Sequence, residues 1–203
     1  MAARGKTRRR SARESPDANG LLAMELQDIH NAESQLSRAL PRLSKAAQSQ
    51  TLREMLEQRL EEGGRIIKDV ETVFDELDAS PRRRKNIAAE GLINDAREHV
   101  QEIEPGPALD AVLIDAVQKT EHYCIAAWGT ARSLAQAVGQ KTASRAMDRA
   151  LKEGGPFDEQ LTELSEREIT PALLSGETEG EEDESGSRAR PRRGGTSEER
   201  AAR

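Results

Sequence analysis

The chain has 203 residues, of which 35% are hydrophobic, 33% charged and only 2% aromatic, with a formal charge of −6. So few aromatic residues exclude an ordinary β-sandwich or barrel, and the acidic balance excludes a dedicated nucleic-acid binder. No run approaches the roughly 18–20 apolar residues of a membrane span, and the lone Cys124 cannot form an intrachain disulfide. The opening MAARGKTRRRSAR leads into no apolar segment, so the expected setting is a reducing cytoplasm, with no membrane partner.

Residues 1–14 carry six bases against Glu14 alone, a charge of +5 without apolar periodicity, and a disordered basic tail is expected over residues 1–17. From Ser175 onward eight acids and six bases define a second expected disordered tail, residues 175–203. The +5 and −2 of the two ends leave −9 for residues 15–174, so the folded domain expected over 18–174 is acidic.

Within it the apolar spacing is helical throughout. Leu22, Leu26, Ile29, Leu36, Leu40, Leu43 and Ala47 mark a first helix with a continuous apolar seam. Leu52, Met55, Leu56, Ile66, Val70, Val73 and Leu77 mark a second, stopped by Ser80-Pro81 because the residue before proline is pushed out of the α region. A third begins near Pro107, which suits a first turn, and runs through Leu113, Val117, Cys124 and Ala131 to Gly139. The fourth carries Met147, Ala150, Leu151, Phe157, Leu161 and Leu164 and is expected to end around Pro171. The long link 80–106 between the second and third contains a short helical stretch, NIAAEGLINDAREHV. The fold class is therefore all-α, four long helices in a bundle with a helix-containing connection in the middle.

The informative residues interrupt the seams. Glu33 lies four after Ile29 and seven before Leu40, where a leucine belongs. Glu62 lies seven after Met55 and four before Ile66; Glu121 lies four after Val117 and seven before Trp128; Asp158 lies seven after Leu151 and three before Leu161. Each long helix thus brings one acid toward the middle of the bundle. A carboxylate taken out of water costs several kcal/mol unless paired or coordinated, so four together ask for a cation. Hard metal ions would serve, as in bundles that hold two metals with glutamates and Glu-x-x-His pairs, but this sequence supplies the acids without such histidines. A structural network with Arg59, Arg65 and surface lysines serves equally well. His30 and His122 favour surface or packing roles, and His99 falls in the polar link. Cys124 reads as a buried, inert thiol, and Gly63-Gly64 and Gly154-Gly155 as thin or kinked places in their helices.

Four segments, ELQDIHNAESQLSRALPRL, RLEEGGRIIKDVETVFDEL, AAEGLINDA and DAVLIDAVQKTEHYCIAAWGTARSLAQAVG, resemble the YciE/YciF family of ferritin-like proteins, a stress-associated bacterial group. The resemblance covers about residues 20–170. It implies a ferritin-like four-helix bundle with a long helix-containing crossover between the second and third long helices, commonly dimeric, with a di-metal centre of iron or manganese. By resemblance Glu33, Glu62 and Glu121 match the family's recurring acids, Glu90 the acid of EGLI, and Glu153 and Asp158 the fourth-helix motif. The departures fall on the same centre: Arg59 stands where the family has histidine, Cys124 and Gly154 stand where it has acids, and Pro156 enters the fourth helix and is expected to bend it. An arginine three residues before Glu62 shares its face, and its guanidinium could occupy the metal position between Glu62 and Glu33 or Glu121.

The expectation is a stress-associated ferritin-like protein with a degenerate di-metal site, a homodimer in a scaffold or binding role, with no metal held if the centre is lost. The alternative is a di-iron or di-manganese protein that handles peroxide or oxygen with a reduced ligand set. A third reading, nucleic-acid contact, would act through the arginine-rich tails alone.

Overall fold

The structure, a computed structural model, describes residues 15–79 and 85–176. The described residues form helices and connecting turns: α1 (Ala18–Ala46), α2 (Gln50–Glu76), α3 (Ile87–Glu102), α4 (Pro107–Ala137) and α5 (Lys141–Leu164), with α5 prolonged by a wider π-turn, Ser165–Ile169. Side chains cap the first three: Asp17 accepts from the Gly20 N–H at 2.8 Å, Ser49 from Leu52 at 3.3 Å and Asn86 from Ala89 at 3.0 Å. Pro107 opens α4, where its missing N–H costs nothing. Gly139, at φ 74°, turns the chain from α4 into α5, a left-handed conformation for which glycine carries no Cβ penalty. α2 ends at Glu76, ahead of the stop expected at Ser80-Pro81, its last turn closed by Asp78 at φ 47° and by the Ala79 N–H donating to Phe74 at 2.9 Å.

α1 packs on α2 and α4, and α5 packs on α4 and α2, closing a cycle in which α2 and α4 occupy opposite corners. α3 lies against α1 and α4. Buried apolar residues form two groups. One joins Leu36–Leu43 of α1, Leu52 and Leu56 of α2, Leu109–Val117 of α4 and Phe157–Leu164 of α5. The other joins Leu22–Ile29, Ile66–Phe74, Cys124–Ala135 and Ala143–Ala150. The first group thus takes the start of α2 and α4 but the end of α1 and α5, so α2 and α4 run in one direction and α1 and α5 in the other. Between the groups, on every long helix, lies a break in apolar character: Glu33, Arg59 with Glu62, Glu121, and Gly154.

Some sequence expectations need correction. The fourth long helix does not stop at Pro171: after the π-turn, in which the Thr170 N–H donates to Ser165 five residues back, it continues to residue 176. The wider turn just ahead accommodates a ring that would collide with an ordinary preceding turn. Residues 175 and 176 are accordingly helical; the rest of the two expected disordered tails lies outside the described residues, apart from residues 15–17. Pro156 sits inside α5 on an exposed position, with helix continuing on both sides. In α3, Ile93 is buried at 2% exposure against the first apolar group, while Ile87 stands 75% exposed.

Candidate functional site: a buried carboxylate–guanidinium centre

Arg59 is the largest charged side chain in the interior, 1% exposed, and projects from α2 into the break between the two apolar groups. Its Nη1 and Nη2 each donate to one oxygen of Glu33 at 3.1 Å. Its Nε donates to Oε2 of Glu121 at 2.7 Å. α1, α2 and α4 therefore meet through one guanidinium. The ring of Trp128, one heptad after Glu121 on α4, packs against it with the guanidinium carbon 5.6 Å from the ring centroid, within reach of a cation–π attraction.

Glu62 is buried but is not held by the guanidinium fork; its Oε1 accepts from Gln58 one turn earlier on α2, at 2.8 Å. The expectation that Arg59 lies between Glu62 and another acid is thus corrected: the guanidinium bridges Glu33 and Glu121.

From α5 the centre receives no charge. The residue facing it is Gly154, where a Cβ would stand 2.6 Å from Oε1 of Glu121 and 2.5 Å from the Trp128 ring. Asp158 lies one turn on, its carboxylate 3.2 Å from His122 Nε2 and accepting from Gln118 Nε2 at 3.3 Å. The sequence reading misplaced the fourth-helix position because it counted Leu151 as seam. The buried series is Ala143, Met147, Ala150, Gly154, Phe157, Leu161, and Asp158 shares the half-buried flank of Leu151. Glu153 pairs with Arg65 at 3.5 Å and Glu90 with Lys85 at 2.6 Å, both on the outside. The six acids therefore divide, three at the centre and three in peripheral pairs.

The charges are strongly coupled. Burial works to lower the pKa of Arg59, but Glu33 and Glu121 outweigh it and hold the group well above its ordinary value. Glu121 goes the other way: burial raises its pKa to about 7, and Arg59 only partly opposes that. Its Oε1 is buried and accepts no hydrogen bond among the described residues. Cys124, fully buried one turn from Glu121, has its thiol pushed well above the usual range by burial and by the charge of Glu33, which makes it a poor nucleophile.

The donor set does not fit a pair of metal ions. Arg59 takes both oxygens of Glu33 and one of Glu121, α5 offers no ligand, and no group of three or more His, Cys, Asp or Glu side chains suited to a metal occurs among the described residues. The histidines lie apart from the centre: His30 is 3.1 Å from Glu71 and His99 is 3.7 Å from Asp95. Among the described residues, no helix is long and apolar enough to cross a membrane.

Sequence reasoning missed two other buried polar groups that fix the frame. Asp110, 2% exposed, accepts from the backbone N–H groups of Gln48 and Ser49 at 2.8 and 2.7 Å and so ties the α1–α2 turn to α4. Asn86 donates to the backbone of Asp28 at 3.0 Å and to the hydroxyl of Tyr123 at 2.5 Å, pinning the start of α3. An acid in the first turn after Pro107 and an Asn before an apolar run were the available signals.

Fold and centre together define an all-helical protein whose interior is divided by a buried ion-pair layer. The chain belongs to the family described as Domain of unknown function (DUF892), which matches residues 17–174. It is 38% identical over 141 residues to Protein YciF of Escherichia coli (strain K12), a match spanning 69% of this chain and 85% of that protein. The crystal structure of the E. coli stress protein YciF aligns with a TM-score of 0.73 at 33% identity, covering 77% of this chain and 99% of that one. YcfI from Rhodopseudomonas palustris, for which a structural role has been suggested, aligns with a TM-score of 0.70 at 32% identity, covering 74% and 96%.

Proposed function

We propose that this chain is a stress-associated ferritin-like four-helix protein in which an arginine has taken the place of the metal pair, and that it works as a non-catalytic scaffold or binding protein. The ferritin-like reading is supported by the parallel course of α2 and α4 at opposite corners, which obliges their connection, with α3 in it, to cross the length of the bundle. The association with stress is supported by the likeness to YciF.

The observation that carries the loss of the metal pair is the grip of Arg59 on Glu33 and Glu121 at 2.7–3.1 Å, with all three side chains 1% exposed. A guanidinium there neutralises the acids and occupies the volume in which ligands would converge. With that volume taken by Arg59 and the thiol of Cys124 buried and pushed well above its usual range, this reading gives the centre a structural role. Metal analysis of the purified full chain after anaerobic loading with iron(II) or manganese(II) tests this. The expected result is no stoichiometric metal; near two ions per chain would overturn the proposal and favour the di-metal alternative.

A further inference from the structure

Three chemically different surfaces hold the guanidinium of Arg59. Glu33 meets the edge formed by the two terminal nitrogens, Glu121 meets the adjoining nitrogen Nε, and the Trp128 ring packs against the group. A planar, forked cation satisfies these contacts together. An ammonium spreads its donors tetrahedrally and cannot match both edges, and a divalent ion draws oxygens to about 2.0–2.6 Å around itself and gains no fork geometry.

Two glycines make room for this arrangement. At Gly154 a Cβ would stand 2.5 Å from the Trp128 ring and 2.6 Å from Glu121 Oε1, so any side chain there would drive both away from the guanidinium. At Gly63 a Cβ would stand 3.0 Å from Glu33 Oε2 and 3.1 Å from Arg59 Nη1. A methyl group added at their neighbours Gly64 and Gly155 would meet nothing within 4 Å, so the close approach is specific to the two glycines that face the centre.

We propose that Glu33, Glu121 and Trp128, given room by Gly63 and Gly154, form a guanidinium-selective cation site that Arg59 fills from within, and that removing the Arg59 side chain leaves a site for small guanidinium cations. This rests on the reading that an arginine has replaced the metal pair, and adds the shape selectivity of what remains. Glu33, Glu121 and Trp128 supply the contacts; Gly63 and Gly154 are positioning residues.

Arg59→Ala in the full chain tests the site, by following its thermal unfolding midpoint against ethylguanidinium, ethylammonium or manganese(II), each at low millimolar concentration and matched ionic strength. A ligand that binds the folded state alone raises the midpoint as its concentration rises. Ethylguanidinium is expected to raise the midpoint of the variant by several degrees and to leave that of the wild type unchanged. Ethylammonium should need about tenfold more or higher concentration, the worth of one lost charge-assisted hydrogen bond. Trp128 is the only tryptophan in the chain, so its emission should shift with ethylguanidinium over the same range. Equal rescue by all three, greater rescue by manganese(II), or rescue by none would overturn the proposal.

If Arg59→Ala does not fold, Arg59→Lys carries the test, because it keeps the charge and removes the fork. It should unfold at a lower midpoint than wild type with altered Trp128 emission, and a lysine variant as stable as wild type would overturn the site's selectivity. Failure here is distinct from failure of the proposed function. Wild type holding two metal ions defeats that reading, whereas metal-free wild type whose alanine variant is rescued equally by ethylammonium defeats only this one.

Discussion

Arg59 and Glu33 meet end to end, the two terminal nitrogens of one 3.1 Å from the two oxygens of the other, in an interior where each side chain is 1% exposed. Such a pair is costly to bury and costlier to break. Replacing Arg59 with Ala leaves Glu33 and Glu121 without their cation, with an expected loss of about 3–5 kcal/mol. Replacing Arg59, Glu33 and Glu121 together by Met, Leu and Leu removes the charges as a set and should cost much less than the single change. Urea denaturation of both variants checks this; a single variant within about 1 kcal/mol of wild type, the worth of an exposed pair, would refute the buried geometry.

Adjacent glycines in α5 should respond in opposite senses. A methyl group at residue 154 collides with Trp128 and Glu121, so Gly154→Ala is expected to lose about 1–3 kcal/mol despite the better helix propensity of alanine. Gly155 has open space where a Cβ would stand and ordinary helical φ, so Gly155→Ala should gain about 0.5–1 kcal/mol. Thermal denaturation of the two single variants, one residue apart, separates packing from propensity.

The four long helices were legible because their apolar residues recur on one face, and the start at Pro107 follows from proline stereochemistry; the end of α2 at Glu76 did not, since Asp78 at φ 47° and the Ala79 N–H on Phe74 turn the chain ahead of Pro81. Glu33 and Glu121 were legible as acids on a leucine seam. Gly154 was not legible from the pattern, since glycine adds nothing to it and its silence let Asp158 stand in; only the resemblance put Gly154 at the centre. The π-turn was not legible either: Pro171 read as a stop, whereas the wider turn ahead of it lets the helix go on, with Glu168 accepting from Ser49 Oγ at 2.9 Å at the start of α2. Arg59 was legible as one of several candidate partners for the acids, beside Arg65 and the lysines, and only the resemblance singled it out, since an arginine near a seam reads as a surface residue until its partners are known.

The isoleucines of α3 provide a contrast of burial. Ile93, 2% exposed, packs in the core with α1 and α4 residues, and Ile93→Ala is expected to lose about 2–5 kcal/mol. Ile87, 75% exposed, should tolerate Ile87→Ala within about 0.5 kcal/mol. Comparable losses in chemical denaturation of the two variants would mean that Ile87 is covered in solution, as in the homodimer expected from the family, and sedimentation of Ile87→Ala should then show a shift toward monomer.

Glu121 gives the stability of the protein a pH dependence of unusual sign for a carboxylate. Its pKa is raised from 4.5 to about 7 because burial outweighs the attraction of Arg59, so between those values the folded state holds a proton that the unfolded chain releases. Stability from this group is therefore fully present below about pH 4.5 and is lost as the pH rises through about 7. Its slope approaches at most about 1.4 kcal/mol per pH unit within that window. Glu121→Gln keeps an acceptor for Arg59 Nε and cannot titrate, so the difference in unfolding free energy between wild type and variant should change across pH 4.5–7 and level off on either side. Urea denaturation of the two proteins at half-unit intervals checks the sign. A wild type that gains stability relative to Glu121→Gln as the pH rises through this window would show that Arg59, not burial, dominates the carboxylate.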